Sequence, residues 1–368
     1  MKIAILFPGI GYHCDKPLLY YSGKLASRYQ YELIKVSYTN LNRSIPEAFA
    51  DAYAQTEKLL ENVNWNQYED ILMISKSIGT AVAAAYAQKH DIRCRNIYYT
   101  PLAQTFDFAP QFGLVFHGTH DPWAKTAVIV EKCREHHLPL YRIEKTNHSL
   151  ELQAETASTP QPVRNDILQN IRILENVMDL TGQYITSGIY YRTLSADEIC
   201  LDLFRHFTRH QNVVKCWRKE NGKWVIRDDP FVDDWSEDDY QFLVKCLKNT
   251  VQTGGFVYAA FCGHRSDSML KGFVSVEPDL FGGEQKYLDL SSIHVSEDLR
   301  GKGIGKSLFL AAKDWAGKKG ARKLYLSAHS AVETQAFYRA MGCVEAQEYD
   351  QHHVEQEPYD CQLECSLE

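Results

Sequence analysis

Short apolar runs alternate with longer stretches of helical spacing through the first half of the chain. Lys2 to Phe7 reads as a buried strand ending in the loop Pro8-Gly9-Ile10-Gly11. Tyr31 to Ser37, Asp70 to Ile74, Ile97 to Thr100, Gly113 to Phe116 and Leu140 to Ile143 read as further strands. Between them, Pro46 to Leu60, the alanine-rich Ile78 to Gln88 and Pro122 to His136 have helical spacing. Strands alternating with helices predict a mostly parallel sheet covered on both faces, with ligands at the carboxyl ends of the strands.

A polar stretch, Glu151 to Pro162, reads as a loop inside this first domain. Apolar positions 167, 168, 171, 174, 177 and 178 then predict an amphipathic closing helix over Val163 to Leu180. Thr181-Gly182 just beyond it sets the expected division into 1–181 and 182–368, with a boundary near 160 as the alternative. In the second half, Tyr184 to Tyr191 starts a new strand pattern, and Ser195 to Glu198 predicts a cap for a helix reaching Arg209. Ser236 to Asp239 caps a helix to Lys248, and Phe256 to Phe261 and Leu270 to Val276 are expected antiparallel strands around a polar loop at 263–268. A strand over Leu290 to Val295 feeds a glycine turn and a helix from Ser307 to Trp315. Strand Lys323 to Ala328 and a helix from Glu333 follow.

Composition narrows the partners. The chain of 368 residues is 45% apolar and 24% charged, with a formal charge of −7, which is ordinary for globular domains. This balance gives no general reason to bind nucleic acid or an anionic membrane. No apolar stretch reaches transmembrane length, and the apolar opening turns into a Pro/Gly loop after a few residues rather than a secretory signal. Ten cysteines include no CxxC pair, so a reducing, cytoplasmic setting is expected and no metal site is assigned.

The first half carries Ser77, Asp121 and His148 in that order, each just past an expected strand. Ser75-Lys76-Ser77-Ile78-Gly79 joins a strand to a helix and resembles the nucleophile elbow G-x-S-x-G, with Ser75 where the first glycine usually stands. With this order the segment resembles the α/β-hydrolase superfamily over about 1–181. The resemblance implies that Ser77 attacks an acyl carbon, His148 moves the proton and Asp121 orients His148. The Ile78 N–H and a donor in Gly9-Ile10-Gly11 would stabilise the oxyanion. A segment this short leaves little room for a lid, which suits a small ester or thioester.

The second half carries Arg300-Gly301-Lys302-Gly303-Ile304-Gly305 between a strand and a helix. Its spacing misses both the dinucleotide fingerprint and the eight-residue Walker loop. Glycines there let successive N–H groups and a helix N-terminus face phosphates, with Arg300, Lys302 and Lys306 adding charge. The motif resembles the pyrophosphate-binding turn of the GNAT-type N-acetyltransferases, a resemblance that covers about 184–366. Phe337-Tyr338 and Gly342-Cys343 resemble a later family segment, with Cys343 replacing the usual aromatic. The resemblance implies acetyl-CoA as co-substrate, held beside Ile293, His294 and Val295 and by residues 300–306, with Ser330 standing where an asparagine is common. It further implies Tyr338 as the acid for the departing thiolate, and Glu277 or Asp289 as the base that deprotonates an amine. His294 has a bland reading too, as a packed core histidine. Trp217, Trp224 and Trp235 with Arg218 either line a substrate pocket or form core and rim.

The expected fold class is therefore α/β: a small lidless α/β-hydrolase-like parallel sheet followed by an α+β GNAT acetyltransferase fold. The expected function is acetyl-CoA-dependent N-acetylation of a small amine, joined to a serine ester or thioester hydrolase. The alternative is a serine hydrolase whose second domain senses acyl-CoA without catalysis. Oligomeric state and the identity of the amine are open in the sequence.

Overall fold

The computed structural model describes residues 1–41, 44–152, 163–263, 268–283 and 287–367. Most of the expected loop at 151–162 and of the polar loop at 263–268 lies outside these residues. The first compact unit takes in Met1–Tyr190, and the second takes in the rest of the described chain.

In the first unit, β1 (Lys2–Phe7), β2 (Tyr31–Lys35), β3 (Asp70–Lys76), β4 (Arg95–Tyr99), β5 (Gly113–Gly118) and β6 (Leu140–Ile143) form one sheet in the order β2-β1-β3-β4-β5-β6. Every pairing is parallel. Parallel strands need covering on both faces, and the apolar runs supply two inward faces. Ile3, Ile5 and Phe7 pack with Ala48 and Ala52 of α2 (Ile45–Leu60) and with Val82, Ala83 and Tyr86 of α3 (Ile78–Lys89). On the opposite pleat, Leu6 meets α1 (Pro17–Arg28), where a Cβ on Gly23 would come within 3.0 Å of Leu6 Cδ1. The sequence reading passed over α1, although Pro17 sits in its first turn and positions 18, 19, 22, 23 and 26 form its buried face. Helix α4 (Thr126–Glu135) lies between β5 and β6 in the chain.

The closing helix α5 (Val163–Ser187) was expected to stop at Leu180 and runs on for two further turns. Buried contacts hold those turns: Thr181, Tyr184 and Ile185 are all buried. Thr181 Oγ1 bonds Tyr99 OH at 2.7 Å, and Tyr99 OH in turn bonds Ser22 Oγ at 2.9 Å. Thr181 and Gly182 therefore lie inside a helix.

Strands β1 and β3 flank the point where strand order reverses, the place where open α/β sheets form a crevice. Close packing there depends on Gly79. A Cβ at this position would lie 2.4 Å from the Pro8 carbonyl oxygen and 2.6 Å from that of Phe7. Both are backbone atoms of β1 and its loop and cannot rotate away. Gly79→Val is expected to lower stability by about 3 kcal/mol, the upper end of overpacking costs. Urea unfolding followed by tryptophan fluorescence measures it, and a midpoint unchanged from the parent would refute the close approach.

β7 (Ile189–Thr193) spans the division at Tyr190, and in the second unit it is followed by a long hairpin of β8 (His210–Glu220) and β9 (Lys223–Asp234). Then come α6 (Glu237–Gln252), β10 (Phe256–Cys262), β11 (Met269–Val276), β12 (Tyr287–Asp289) and β13 (Ser292–Val295). The chain ends with α7 (Ile304–Lys318), β14 (Lys323–Ala328), α8 (Val332–Ala340), β15 (Val344–Glu345), α9 (Gln351–Gln356) and β16 (Cys361–Ser366). The helix expected from Ser195 to Arg209 is absent. Ser195 N–H and Oγ do bond the Glu198 carboxylate, but only a short 3-10 turn, Leu201–Phe204, follows. Phe204 and Phe207 instead enter an aromatic cluster with Phe273, Tyr240 and Trp235, and this packing overrides the helical spacing.

The strand expected over Leu290 to Val295 begins only at Ser292, and a separate strand, β12, ends just before it at Asp289. Strand β13 pairs antiparallel with β11 in the order β13-β11-β10-β7. The segment just before it, β12, pairs parallel with β14 in the order β12-β14-β16-β15. The chain thus passes from one sheet to the other at Leu290-Ser291, and the sheets part beyond Leu290, whose N–H still bonds the Tyr325 carbonyl at 2.9 Å. The expected parallel sheet followed by a GNAT-like α+β fold is what the chain forms. Among the described residues no helix is long and apolar enough to cross a membrane.

Two candidate active sites

Ser77 sits between β3 and α3 with φ 56° and ψ −126°. A non-glycine residue in that region carries about 1–3 kcal/mol of strain and must be held by its surroundings. Its N–H donates to the Tyr99 carbonyl at 3.1 Å, and Gly9 packs against it, since a Cβ there would lie 2.9 Å from Ser77 Cβ. The turn throws the hydroxyl out at the carboxyl edge of the sheet.

The structure brings the three expected residues together. His148 Nε2 lies 2.8 Å from Ser77 Oγ, and His148 Nδ1 lies 2.7 Å from Asp121 Oδ2. With Nδ1–H donating to the carboxylate, Nε2 is the acceptor facing the serine. The loop bearing Asp121 is fixed because Trp123 N–H donates to Asp121 Oδ1 at 2.8 Å. The loop bearing His148 is fixed by Thr100 Oγ1, which donates to the His148 carbonyl at 3.0 Å. The two loops are also stitched to each other. His120 N–H donates to the Thr146 carbonyl at 2.9 Å, and Lys145 N–H to Thr119 Oγ1 at 2.8 Å. At Gly118 a Cβ would come within 2.4 Å of the carbonyl oxygens of Thr146 and Asn147.

Burial pushes the Asp121 carboxyl upward, but the hydrogen bond and charge of His148 outweigh it and leave Asp121 below the ordinary value. His148 is lowered, first by burial and also by the Lys76 charge, against the raising effect of Asp121. A buried His117 backs the carboxylate. Its Nδ1 is 3.9 Å from Asp121 Oδ2, and its Nε2 is 3.0 Å from Thr126 Oγ1. The exposed Trp123 ring stands 6.4 Å from the His148 ring. Of the expected oxyanion donors, Ile78 begins α3. Gly9 is excluded, because its N–H already bonds the Tyr12 carbonyl at 3.0 Å, which leaves Ile10 and Gly11 in that loop.

Sequence reasoning missed Lys76 and Tyr12. Lys76 is only 1% exposed, with Nζ over the Tyr12 ring at 5.0 Å from its centroid. Tyr12 is anchored in turn by Leu18 N–H, which donates to its hydroxyl at 3.1 Å. The signal was a lysine closing a strand whose middle, Ile71 to Ile74, is apolar.

In the second unit Gly301 and Gly303 have φ 74° and 82°, and Gly303 is the N-cap of α7. This left-handed turn suits glycine and swings the chain from Arg300 into the helix. Arg300 Nε donates to the Val295 carbonyl at 3.3 Å, tying the turn to β13. Ser307 N–H is the first to bond back, to the Gly303 carbonyl at 3.1 Å, so Ile304, Gly305 and Lys306 present the leading N–H groups of α7. A Cβ on Gly305 would meet Phe337 Cε2 at 3.2 Å, which brings α7 close to α8. Lys302 is exposed beside the turn. This glycine turn, with basic side chains at the N-terminus of a helix, fits the pyrophosphate of a CoA.

Ile293, His294 and Val295 lie on β13, the edge strand beside the parting of the sheets. The His294 ring packs edge-on to Trp235 at 4.6 Å and tilts against Phe273 at 5.4 Å. Burial and the charges of Arg209, Arg300 and His329 push it down to about 3, so the ring is neutral. Ser330 is buried and engaged. Its hydroxyl accepts from Arg218 Nη1 at 2.6 Å, and its carbonyl accepts from Trp217 N–H at 2.8 Å. Trp217 and Arg218 thus dock the hairpin on the loop after β14, while Asp233 and Asp234 pair with Arg209 and His210.

Tyr338 is buried in α8, and burial raises its hydroxyl well above the ordinary value, helped by Cys343 and Asp360. The two expected carboxylates fall in different places. Glu277 accepts from Thr250 Oγ1 at 2.8 Å and Ser291 Oγ at 2.6 Å. Asp289 accepts from His353 Nε2 at 3.1 Å, and its other oxygen is buried with no hydrogen-bond partner among the described residues. A third carboxylate escaped the sequence reading. Asp360, just before β16, is the one whose charge Tyr338 senses, and burial with the charge of Glu357 raises it to about 7.

Residues 216–343 match the model of the Acetyltransferase (GNAT) family, whose members use acetyl-CoA. No curated protein matches the sequence. Solved structures similar to the chain include nourseothricin acetyltransferase, at 18% identity over 49% of this chain and 99% of that one, with a TM-score of 0.36. The PaiA N-acetyltransferase of Thermoplasma acidophilum in complex with coenzyme A is similar at 18% identity over 48% of this chain and 98% of its own, with a TM-score of 0.31. Est1E from Butyrivibrio proteoclasticus is similar at 12% identity over 47% of this chain and 86% of its own, with a TM-score of 0.34.

Proposed function

We propose that the chain joins two enzymes: an acetyl-CoA-dependent N-acetyltransferase of a small amine in its second unit and a serine ester or thioester hydrolase in its first. The glycine turn that opens α7 beside the parting sheets carries the first reading, together with the family match over 216–343. The hydrogen-bonded chain from Ser77 through His148 to Asp121 carries the second.

In the second unit, the N–H groups of 304–306 with Arg300 and Lys302 would hold the pyrophosphate, and the edge of β13 would hold the pantetheine arm. Acetyl-CoA, when bound there, supplies an acyl carbon to the amine and a thiolate as leaving group. Tyr338 delivers the proton to that thiolate. Its raised value keeps the phenol protonated through neutral and mildly alkaline pH, so the acid is available over the whole working range. A carboxylate takes the amine proton. Glu277, Asp289 and Asp360 are the candidates, and Asp360 at about 7 has the value suited to a base near neutrality.

In the first unit, Ser77 Oγ attacks the acyl carbon as its proton passes to His148 Nε2, and the resulting imidazolium is steadied by Asp121. Collapse breaks the bond to the leaving oxygen or sulfur, which takes that proton. Water then repeats the sequence on the acyl-serine, releasing a carboxylic acid and restoring Ser77.

Native mass spectrometry for retained CoA, followed by thiol release with a panel of amines, tests the transferase. Failure to bind CoA or to release thiol with any amine would overturn it. Within that reaction, Tyr338→Phe keeps the ring and loses only the acid. Its single-turnover rate is expected to fall by about a hundredfold, with CoA affinity little changed. An unaltered rate would remove Tyr338 from the mechanism.

A further inference from the structure

Lys76 has no role in the chemistry just described, yet it occupies the position next to Ser77. Its side chain is almost fully buried, and its Nζ lies over the face of the Tyr12 ring. Among the described residues, no carboxylate or carbonyl makes an ion pair or hydrogen bond to Nζ. A buried cation without a hydrogen-bonding partner is expensive to keep. It is also set where it opposes the proposed mechanism, since its charge disfavours the His148 imidazolium that Asp121 favours. A chain that needed only apolar filling there would be served by methionine or leucine. Nζ lies over the Tyr12 ring and interacts electrostatically with Asp121 and His148, while Glu151 acts on the Tyr12 hydroxyl. Asp121 is already engaged with His148 and Trp123 N–H. An anion entering the site would give Nζ, once protonated, the ion pair that the described residues do not supply.

We infer that Lys76 binds a carboxylate on the substrate of the serine site, so that this site takes a short ester or thioester whose acyl part carries a second, ionised carboxyl group close to the scissile carbonyl. The inference rests on the hydrolase reading of Ser77, His148 and Asp121. A single ammonium matches a single carboxylate charge, whereas a phosphate dianion would call for further donors. Its interaction with both Asp121 and His148 sets Nζ beside the triad, and a short acyl chain would let the carbonyl sit at Ser77 while its carboxylate reaches Nζ. Burial lowers Lys76 to about 7 against the opposing field of Asp121, so an arriving carboxylate meets a group that is readily protonated and gains its charge on binding. The chemical step is unchanged. Water is the co-reactant, the acyl–oxygen or acyl–sulfur bond breaks, and the products are a dicarboxylic acid and an alcohol or thiol.

The test uses the full chain with two esters of similar length, mono-4-nitrophenyl succinate and 4-nitrophenyl butyrate. At pH 6 the ratio of their kcat/KM values is expected to favour the succinate by roughly 10–100-fold, the gain typical of a charge-assisted hydrogen bond. Lys76→Met should bring that ratio to about one, with the change falling on KM for the succinate. Because the butyrate shares the same Ser77 and His148, a merely structural role for Lys76 would move both esters alike and leave the ratio unchanged. The unaltered protein provides a second readout should the variant fail to fold. The ratio should fall as pH rises through about 7, where Lys76 loses its proton, while His148 titration cancels between the two esters. A ratio near one at pH 6 with Ser77 still labelled by a fluorophosphonate overturns the role of Lys76 and leaves the hydrolase standing. A strong preference that survives in Lys76→Met, or that ignores pH, also overturns it. No hydrolysis of either ester and no labelling overturns the hydrolase reading and the inference together.

Discussion

Replacing Ser77 with alanine is expected to abolish labelling by a fluorophosphonate and to cut ester hydrolysis by roughly a thousand- to a million-fold, the range seen when a triad nucleophile is lost. The size of the effect follows from the site. His148 Nε2, at 2.8 Å, has one hydroxyl to activate, and Asp121 fixes the ring so that this nitrogen is the acceptor. Alanine has the same backbone requirement as serine at φ 56°, so the variant adds no new strain to the elbow and should fold. Intact-mass spectrometry after fluorophosphonate treatment reads the label, and release of 4-nitrophenol reads the activity. Thiol release from acetyl-CoA by the second unit should be left largely as it was. Persistent labelling in Ser77→Ala would place the reactive serine elsewhere.

The second large effect is expected at Gly303. Valine at this N-cap must adopt φ 82°, a region that β-branched side chains avoid, and its bulk would stand over the leading N–H groups of α7. The turn would either strain or reorient, and in both cases the phosphates lose their close approach to the backbone. CoA affinity measured by calorimetry is expected to drop by about a hundredfold or more, comparable to losing one or two charge-assisted hydrogen bonds. Circular dichroism checks that α7 survives. A folded Gly303→Val that binds CoA as tightly as the parent would remove this turn from the binding site.

Much of this was legible in the sequence, for physical reasons. The strands of the first unit are short apolar runs bounded by loops, and a parallel sheet buried on both faces demands that pattern, so their positions could be read within a residue or two. Their lateral order could not, because nothing local records which crossover passes which strand. Helix α1 went unread although Pro17 stands in its first turn, where a proline is ordinary. The hairpin of β8 and β9 went unread despite Asn221-Gly222, whose residues both take positive φ as a tight hairpin turn requires. The aromatic and charged residues around it masked the alternation. The helix expected after Ser195 lost to the burial of Phe204 and Phe207, a tertiary effect with no local signature. At the serine site, chain order pointed to Ser77, Asp121 and His148. Lys76 and Tyr12 became visible only once the fold closed around them, as did Asp360 in the second unit.

The stitching between the loops that follow β5 and β6 bears on how the serine site fails. β6 is an edge strand, and edges are where native sheets begin to fray. His120 to Thr146, Lys145 to Thr119 and the backbone contact at Gly118 tie the acid's loop to the base's loop. An opening that starts at β6 therefore carries off the imidazole and its carboxylate as one piece. Ser77, at the end of the central strand β3, stays behind in its elbow. Warmed toward its limit, the site would lose its proton-handling half in a single step while the hydroxyl remained in place: a reversible disarming that precedes, and is distinct from, collapse of the sheet.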